Sequence, residues 1–357
     1  MVKAARYKAA FFFALTAPQS KRIFISMTKR KTVNIAKFRV NIDVLKKYQI
    51  GILGYGSQGR AQALNLKDSG LKPTIGLPAK SRSRNHAKKD GFTVITPAKL
   101  CQQCDLIAVL VPDHKHQELF TNELYSIMKP GQVFIFAHGL SVHFHLVKQP
   151  SGVDFILVAP HSPGIGLREK YIEGKSITAF IGNTEKSSPI SLKLAKSYAQ
   201  AIGCPASGLI QTSFADEAIG DIFGEQAVLC GGLSALLKAG FNTLVKAGLP
   251  PENAYLECIY QIDLIVDLIK RHGIDGMYDR ISTTAAYGAA KAEPKIIDSH
   301  TQEAMAKLLK EIKSGKFTAN LMNDYHKEFT ELKKQRKKVS VPILDNMAKL
   351  FAEKLGI

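Results

Sequence analysis

The chain has 357 residues, enough for two domains of ordinary size, and an apolar share of 45%, as in a globular protein. Its 49 Lys and Arg against 30 Asp and Glu give a formal charge of +19, but ten of those cations fall in residues 1–40, which hold no acid, and no nucleic-acid motif accompanies the excess. A specific nucleic-acid role is therefore set aside. No apolar run reads as a membrane span, and five cysteines without disulfide-like spacing indicate a reducing compartment.

Residues 1–40 read as a basic leader, disordered or processed. Met1–Lys8 is basic and Ala9–Ala17 is apolar, the make-up of a short secretory signal, of an organellar transit peptide, or of a stretch upstream of a start at Met27. Next, Ile50–Leu53 reads as a buried strand that runs into Gly54-Tyr55-Gly56-Ser57-Gln58-Gly59 and then a helix through Leu66. The G-x-G-x-x-G spacing between a strand and a helix is a dinucleotide fingerprint. The first glycine makes the turn, the second lets the backbone approach a pyrophosphate at the helix N-terminus, and the third packs helix on strand. Further strands are expected at Lys72–Leu77, Thr93–Ile95, Asp105–Val111, Gly131–Ala137, Phe155–Ala159 and Ala179–Gly182, alternating with helical stretches. That alternation predicts an α/β fold over residues 41–210, a doubly wound Rossmann-type sheet with right-handed crossovers. The pair Cys101 and Cys104 forms a lone C-x-x-C with no further ligands in view, too little for a metal or redox site.

The end of the second strand decides the nicotinamide cofactor. An acid there would hold a ribose 2′-hydroxyl, whereas hydroxyls and cations accommodate a 2′-phosphate. Gly76 to Arg84 contains no acid, but offers Ser81, Ser83, Lys80, Arg82 and Arg84. NADP is expected. A nicotinamide cofactor argues against export, so the cytoplasm is the expected location and the mitochondrion the second choice.

From Thr212 onward the pattern becomes helical, so residues 211–357 are expected to form an all-helical domain punctuated at Gly231-Gly232, Gly248 to Pro251, Gly273 to Gly276 and Gly288. Glu217, Asp221 and Glu225 recur every four residues and share one helix face. Like charges at that spacing repel, and a shared cation such as Mg²⁺, which prefers oxygen ligands, would offset the repulsion. A solvated acidic stripe is the alternative. The run Lys333 to Lys338 reads as a solvated helix face.

Several segments together resemble ketol-acid reductoisomerase, in its short class I form. They are the glycine turn Gly54–Gly59, Ala137-His138-Gly139, Val158-Ala159-Pro160, Asp221 to Gly232, Leu256-Glu257-Cys258, Ile281-Ser282 with Thr284-Ala285 and Tyr287-Gly288, and Ser314 to Phe317. They occur in the family's order from about residue 45 to the end. The resemblance implies Mg²⁺-dependent alkyl migration followed by NADPH reduction, converting 2-acetolactate or 2-aceto-2-hydroxybutyrate to the 2,3-dihydroxy acid in valine and isoleucine biosynthesis. It further implies a knotted helical domain and a homodimer or larger homo-oligomer that shares active sites. On the same basis two Mg²⁺ ions are held by Asp221, Glu225 and Glu257, the last from a partner helix. His138 handles a proton, Ser282 contacts the substrate carboxylate, and Gly54, Tyr55, Gly56, Ser57, Gln58, Gly59, Ser81, Arg82, Ser83 and Gly164 bind NADPH.

Two positions depart from the family pattern at the chemistry itself. His161 follows the Val-Ala-Pro strand end where the family has lysine, and Gln261 stands one turn beyond Glu257 where the family has glutamate. An imidazole is shorter and mostly neutral near pH 7. An amide keeps an oxygen donor but removes a charge, so the second Mg²⁺ site is expected to be weaker. Smaller departures are Leu140, Arg60, Thr283 and Ala286. The alternatives to a full reductoisomerase are a 2-keto acid reductase without the isomerase step and a non-catalytic NADP-binding homologue.

Overall fold

The computed structural model describes residues 40–356, so the basic leader lies, but for Val40, outside the described residues. After a short 3-10 turn at Ile42–Lys47, the chain enters β1 (Ile50–Leu53) and α1 (Ser57–Asp68). There follow β2 (Thr74–Gly76), α2 (Ser83–Lys89), β3 (Val94–Ile95), α3 (Pro97–Gln103) and β4 (Leu106–Val109). Next come α4 (His116–Leu119, continuing as a π-turn over Phe120–Leu124), β5 (Val133–Phe136) and α5 (Leu140–His143). The sheet is completed by β6 (Asp154–Pro160), α6 (Gly164–Ile172), β7 (Ala179–Asn183), α7 (Ser191–Ala201) and β8 (Leu209–Gln211).

The eight strands lie in the order β3-β2-β1-β4-β5-β6-β7-β8. The first six are parallel and follow the doubly wound order, with the reversal point between β1 and β4. β7 corrects the expected all-crossover pattern: it pairs antiparallel with β6, and β8, not foreseen in the sequence, pairs parallel with β7. Alternation sorts the central strands onto two cores. Ile52, Ala108, Ile135 and Ile156 face α1, α6 and α7 through Ala61, Leu66, Leu167 and Tyr198. Leu53, Ile107, Phe134, Phe136 and Phe155 face the other way, onto Leu100 and Phe120. Phe120 stacks on Phe136 at 6.0 Å between ring centres, and Phe134 and Phe155 close the cluster. Both faces of each central strand are covered, and a residue shift in register would exchange the two cores.

Beyond β8 the chain is helical. α8 (Phe214–Gly224) passes through a π-turn at Glu225–Leu229 into α9 (Gly231–Lys246). α10 (Pro251–Tyr255) passes through a second π-turn at Leu256–Tyr260 into α11 (Ile262–Tyr278). α12 (Thr283–Ile296), α13 (Ser299–Lys313), α14 (Lys316–His326), α15 (Thr330–Val339) and α16 (Pro342–Leu355) follow. Gly231-Gly232 and Gly288, read as punctuation, lie within continuous helical stretches. Gly273 does interrupt α11, where its φ of 73° kinks the helix. The joined helix Phe214–Lys246 also corrects the reading that no run approaches a membrane span: it is long and apolar enough to cross one, by length and composition only. No described residue of α11, α12, α15 or α16 is buried. Leu236, Leu264, Val266, Ile269, Ile274 and Tyr287 stand exposed on this half.

Candidate functional site

A crevice of about 1030 Å³ opens at the C-terminal ends of β1, β2, β4, β5 and β6. Its walls join the glycine turn, the loop after β2, the loop after β4, Ala137-His138 and the exposed side of α8. The three glycines divide the work. Gly54 adopts φ +101°, and a Cβ there would lie 2.6 Å from the Leu110 carbonyl oxygen. A Cβ on Gly59 would meet Gly54 O at 2.4 Å, so the start of α1 packs directly on the turn. Gly56 caps α1 without a side-chain bond and has no heavy atom within 4 Å of where its Cβ would be. Open space in front of uncapped N–H groups is what a phosphate needs.

The other expected cofactor residues divide between the crevice and its supports. Ser57, Gln58, Ser81 and Ser83 line the crevice together with Lys80. Gln58 also donates to the Ser162 carbonyl at 2.8 Å, tying the turn to the loop before α6. Gly164 is placed behind the turn: its missing Cβ would sit 2.2 Å from Ser57 C and O, so it permits α6 to pack against α1. Tyr55 also lines the crevice, but it is 5% exposed and its hydroxyl donates to Asp90. Arg82 is exposed and is not among the lining residues. Arg84 is spent on structure, donating to the carbonyls of Leu77 at 2.7 Å and Val94 at 3.1 Å. Of the cations in this segment only Lys80 lines the crevice, beside the two serine hydroxyls.

At the far end of the crevice, His138 Nδ1 lies 3.6 Å from Asp113 and Nε2 lies 3.3 Å from Asp221. Nε2 lacks hydrogen-bonding geometry and is buried without a partner. Burial lowers the pKa of His138, but the bond and charge of Asp113, with the charges of Glu217 and Asp221, outweigh it and lift the group to about 9. Asp113 is pushed up by burial, yet His138 and His116 hold it below the usual carboxylate range. His116 is buried and kept neutral by that burial, bonding Ser141 Oγ at 2.7 Å and the Val111 carbonyl at 2.9 Å. Behind this pair Glu217, 3% exposed, accepts from the Gly139 N–H at 2.5 Å. Burial raises its pKa to about 7, against the lowering effects of His138 and the Gly139 N–H.

The acidic stripe is graded in depth. Glu217 is buried at its base, whereas Asp221 and Glu225 are exposed and line the crevice. Burial and the neighbouring Asp221 raise the pKa of Glu225. Glu257 does not join them. It sits in the π-turn between α10 and α11, exposed, where Gln261 donates to its Oε2 at 3.1 Å. Among the described residues no group of three or more His, Cys, Asp or Glu is arranged to hold a metal ion. The expected trio is thus not gathered within one chain. α10 and its π-turn pack on α9 and α16, which leaves Glu257 facing outward. Ser282 is likewise exposed, capping α12 by accepting from Ala285 N at 3.1 Å. His161 Nδ1 lies 2.9 Å from Thr178 Oγ1 with its ring edge-on to Phe180, and burial keeps it neutral although Asp221 opposes this. Cys101 and Cys104 are buried, and burial lifts both thiols to about 11, which makes them packing residues.

Two residues at the heart of this geometry were not singled out from the sequence. Asp113 lies in the loop after β4, at the start of a 3-10 turn, and the rule that ligands bind at the carboxyl ends of parallel strands was a usable signal. Glu217 was seen only as part of the stripe, because burial depth is a tertiary property.

A crevice at the switch point of a doubly wound sheet, fronted by an open glycine turn, defines a dinucleotide-binding protein. Residues 44–208 match the family model described as acetohydroxy acid isomeroreductase, NADPH-binding domain, and residues 214–350 match ketol-acid reductoisomerase, C-terminal domain. The chain belongs to the ketol-acid reductoisomerase family. It is 42% identical to "Ketol-acid reductoisomerase (NADP(+))" of Helicobacter pylori (strain HPAG1) over 314 residues, 87% of this chain and 94% of that protein. It resembles the structure of an NADH-preferring ketol-acid reductoisomerase from an uncultured archaeon with a TM-score of 0.83 and 34% identity, covering 88% of this chain and 96% of the other. A semialdehyde dehydrogenase NAD-binding protein from Cupriavidus necator, 14% identical with a TM-score of 0.58 over 74% of this chain and 99% of the other, shares the fold alone.

Proposed function

We propose that this chain is an NADPH-dependent ketol-acid reductoisomerase. It acts on 2-acetolactate and 2-aceto-2-hydroxybutyrate, 2-hydroxy-3-keto acids, giving the 2,3-dihydroxy acids of valine and isoleucine biosynthesis. One observation carries the reading: a single crevice joins the open glycine turn to His138, Asp221 and Glu225. The oxygen-only pair Asp221 and Glu225 fits Mg²⁺, which takes few protein ligands and keeps several waters. Bound Mg²⁺ would supply Lewis-acid polarisation of the substrate oxygens, and NADPH the hydride.

The chain's own residues do the rest. The N–H groups at Gly56–Gln58 would hold the pyrophosphate of NADPH, and Lys80, Ser81 and Ser83 its 2′-phosphate. The carboxylates of Asp113, Glu217 and Asp221 favour the cationic form of His138, whose Nε2 faces Asp221. Asp113 orients its other nitrogen, in the manner of a carboxylate fixing a general acid. The apolar strand ends Val109 and Pro160 help to exclude water from the crevice.

The working unit is a homodimer or larger assembly. Among the described residues α11 and α12 have no buried side chain, and Glu257, Gln261 and Ser282 do not line the crevice that holds Asp221 and Glu225. A second copy would cover the apolar faces and bring those groups to Asp221 and Glu225, giving the knotted helical packing that the resemblance implies. This also accounts for the long apolar helix Phe214–Lys246 without a membrane: its N-terminal half carries Glu217, Asp221 and Glu225. We place the protein in the cytoplasm.

The test is NADPH oxidation with 2-acetolactate, with and without Mg²⁺. Mg²⁺-dependent turnover is expected. Turnover only with 3-hydroxy-3-methyl-2-ketobutyrate, the migrated intermediate, would reduce the activity to a keto acid reductase. Tight NADPH binding with neither compound consumed would overturn the enzymatic reading.

A further inference from the structure

A polar network ties the glycine turn to the far end of α2. Tyr55 lies between the first two glycines, packs edge-on against Phe92 at 5.9 Å, and donates its hydroxyl to Asp90 Oδ2 at 2.7 Å. Arg60, on the first turn of α1, grips the same carboxylate through Nε at 2.7 Å and Nη2 at 3.1 Å. This is the forked pairing in which a guanidinium fixes direction as well as distance. Lys67 adds a bond to the Asp90 carbonyl at 2.8 Å and lies over the Phe92 ring at 5.4 Å. Arg84 fastens the start of α2 to the edge strands through Leu77 and Val94. α2 is therefore held at both ends, by Arg84 to β2 and β3 and by Asp90 to the glycine turn.

The segment carrying Lys80, Ser81 and Ser83 runs straight into α2. The separation between that segment and the glycine turn thus depends on how α2 is anchored. We propose that Asp90, acting with Arg60 and Tyr55, is a positioning residue that sets the span between the pyrophosphate turn and the 2′-phosphate loop, and so the preference for NADPH over NADH. The proposal rests on the cofactor reading given above. NADPH must satisfy both anchors at once, whereas NADH has no 2′-phosphate to place at Lys80, Ser81 and Ser83. Loosening the tie penalises only the nucleotide that needs both. The Arg60–Asp90 pair is partly exposed, with Arg60 57% and Asp90 18% exposed, so a melting temperature read alongside binding separates loss of positioning from loss of stability.

The experiment measures dissociation constants for NADPH and NADH by nucleotide fluorescence, alongside melting temperature, for the full chain and for Asp90→Asn, Arg60→Ala and Arg60→Lys. Asp90→Asn and Arg60→Ala are expected to weaken NADPH about tenfold, the scale of a misplaced binding group, and to change NADH by less than about threefold. Arg60→Lys, which keeps the charge but not the fork, should fall between Arg60→Ala and the unaltered chain. Parallel weakening of both nucleotides, or no change in their ratio, would overturn the proposal while leaving the enzymatic reading intact. An unaltered chain that binds neither nucleotide would overturn both.

Discussion

The division of labour among the glycines can be separated by adding one methyl group at a time. At Gly56 the backbone is compatible with any L-residue (φ −82°) and the space is open, so Gly56→Ala should fold like the parent. That same methyl stands where a phosphate must approach the N–H groups of α1. Charged hydrogen bonds of this kind contribute about 1.5–3 kcal/mol each, so losing one should raise the NADPH dissociation constant about 10- to 100-fold. At Gly59 the methyl would instead lie 2.4 Å from Gly54 O, a backbone atom that can yield only if α1 lifts from β1. Overpacking of this kind costs about 1–3 kcal/mol of stability, and Gly59→Ala should lose melting temperature and binding together. Thermal denaturation and fluorescence titration of the two variants distinguish the cases. A Gly56→Ala protein that binds NADPH like the parent, or that loses as much stability as Gly59→Ala, would refute the assignment of the phosphate to this turn.

Other consequences can be checked separately. Gln261→Glu and His161→Lys, made together, should raise Mg²⁺-dependent turnover of 2-acetolactate about tenfold or more, as expected when a charged ligand is restored; a folded, cofactor-bound double variant with no gain would show that these positions do not limit catalysis. Glu217 is protonated in the folded state up to about pH 7, whereas an unfolded carboxylate titrates near 4.5, so the folded state binds the extra proton between those values. Stability should fall as pH rises through that window, by on the order of 2–3 kcal/mol, and Glu217→Gln should flatten the slope in denaturant titrations at several pH values. Cys101 and Cys104, held protonated by burial, should resist alkylation at pH 8 until the chain is unfolded, as judged by mass spectrometry. Leu264→Asp, on the exposed face of α11, should yield monomers by sedimentation that bind NADPH normally yet fail to turn over substrate.

What could be read from the sequence was mostly local. Gly54, Gly56 and Gly59 announce their turn because their spacing falls within six residues between an apolar strand and a helix. The central strands announce themselves because burial on both faces requires unbroken apolar runs. The direction of β7 is not local: Ala179–Asn183 would look the same paired either way, and only the path of the chain around α6 makes it antiparallel to β6. Arg84 was read as charge for a phosphate, but its guanidinium finds backbone carbonyls closer at hand. The Gly231-Gly232 pair looked like a helix end, yet the π-turn before it carries the helix onward. The site was legible only as far as a single chain supplies it. His138, Asp221 and Glu225 are brought to one crevice, whereas Glu257 and Ser282, placed by family resemblance, are not.

That asymmetry is itself informative. A Rossmann sheet whose two cores are filled within the chain has no need of a partner to fold. The helical half has the opposite character: its interior is confined to small clusters around Ile222 and Phe241, and its longest apolar faces meet nothing. Its own burial offsets less of the entropy of ordering its helices than the sheet's two cores do for theirs. Glu257 and Ser282, which the proposed function brings to Asp221 and Glu225 from a second copy, lie at the ends of those uncovered helices. One association would therefore remedy both deficits, burying the apolar faces and completing the crevice. Catalysis and the folding of the helical half should then depend on protein concentration together, while nucleotide binding, which belongs to the self-sufficient half, should not.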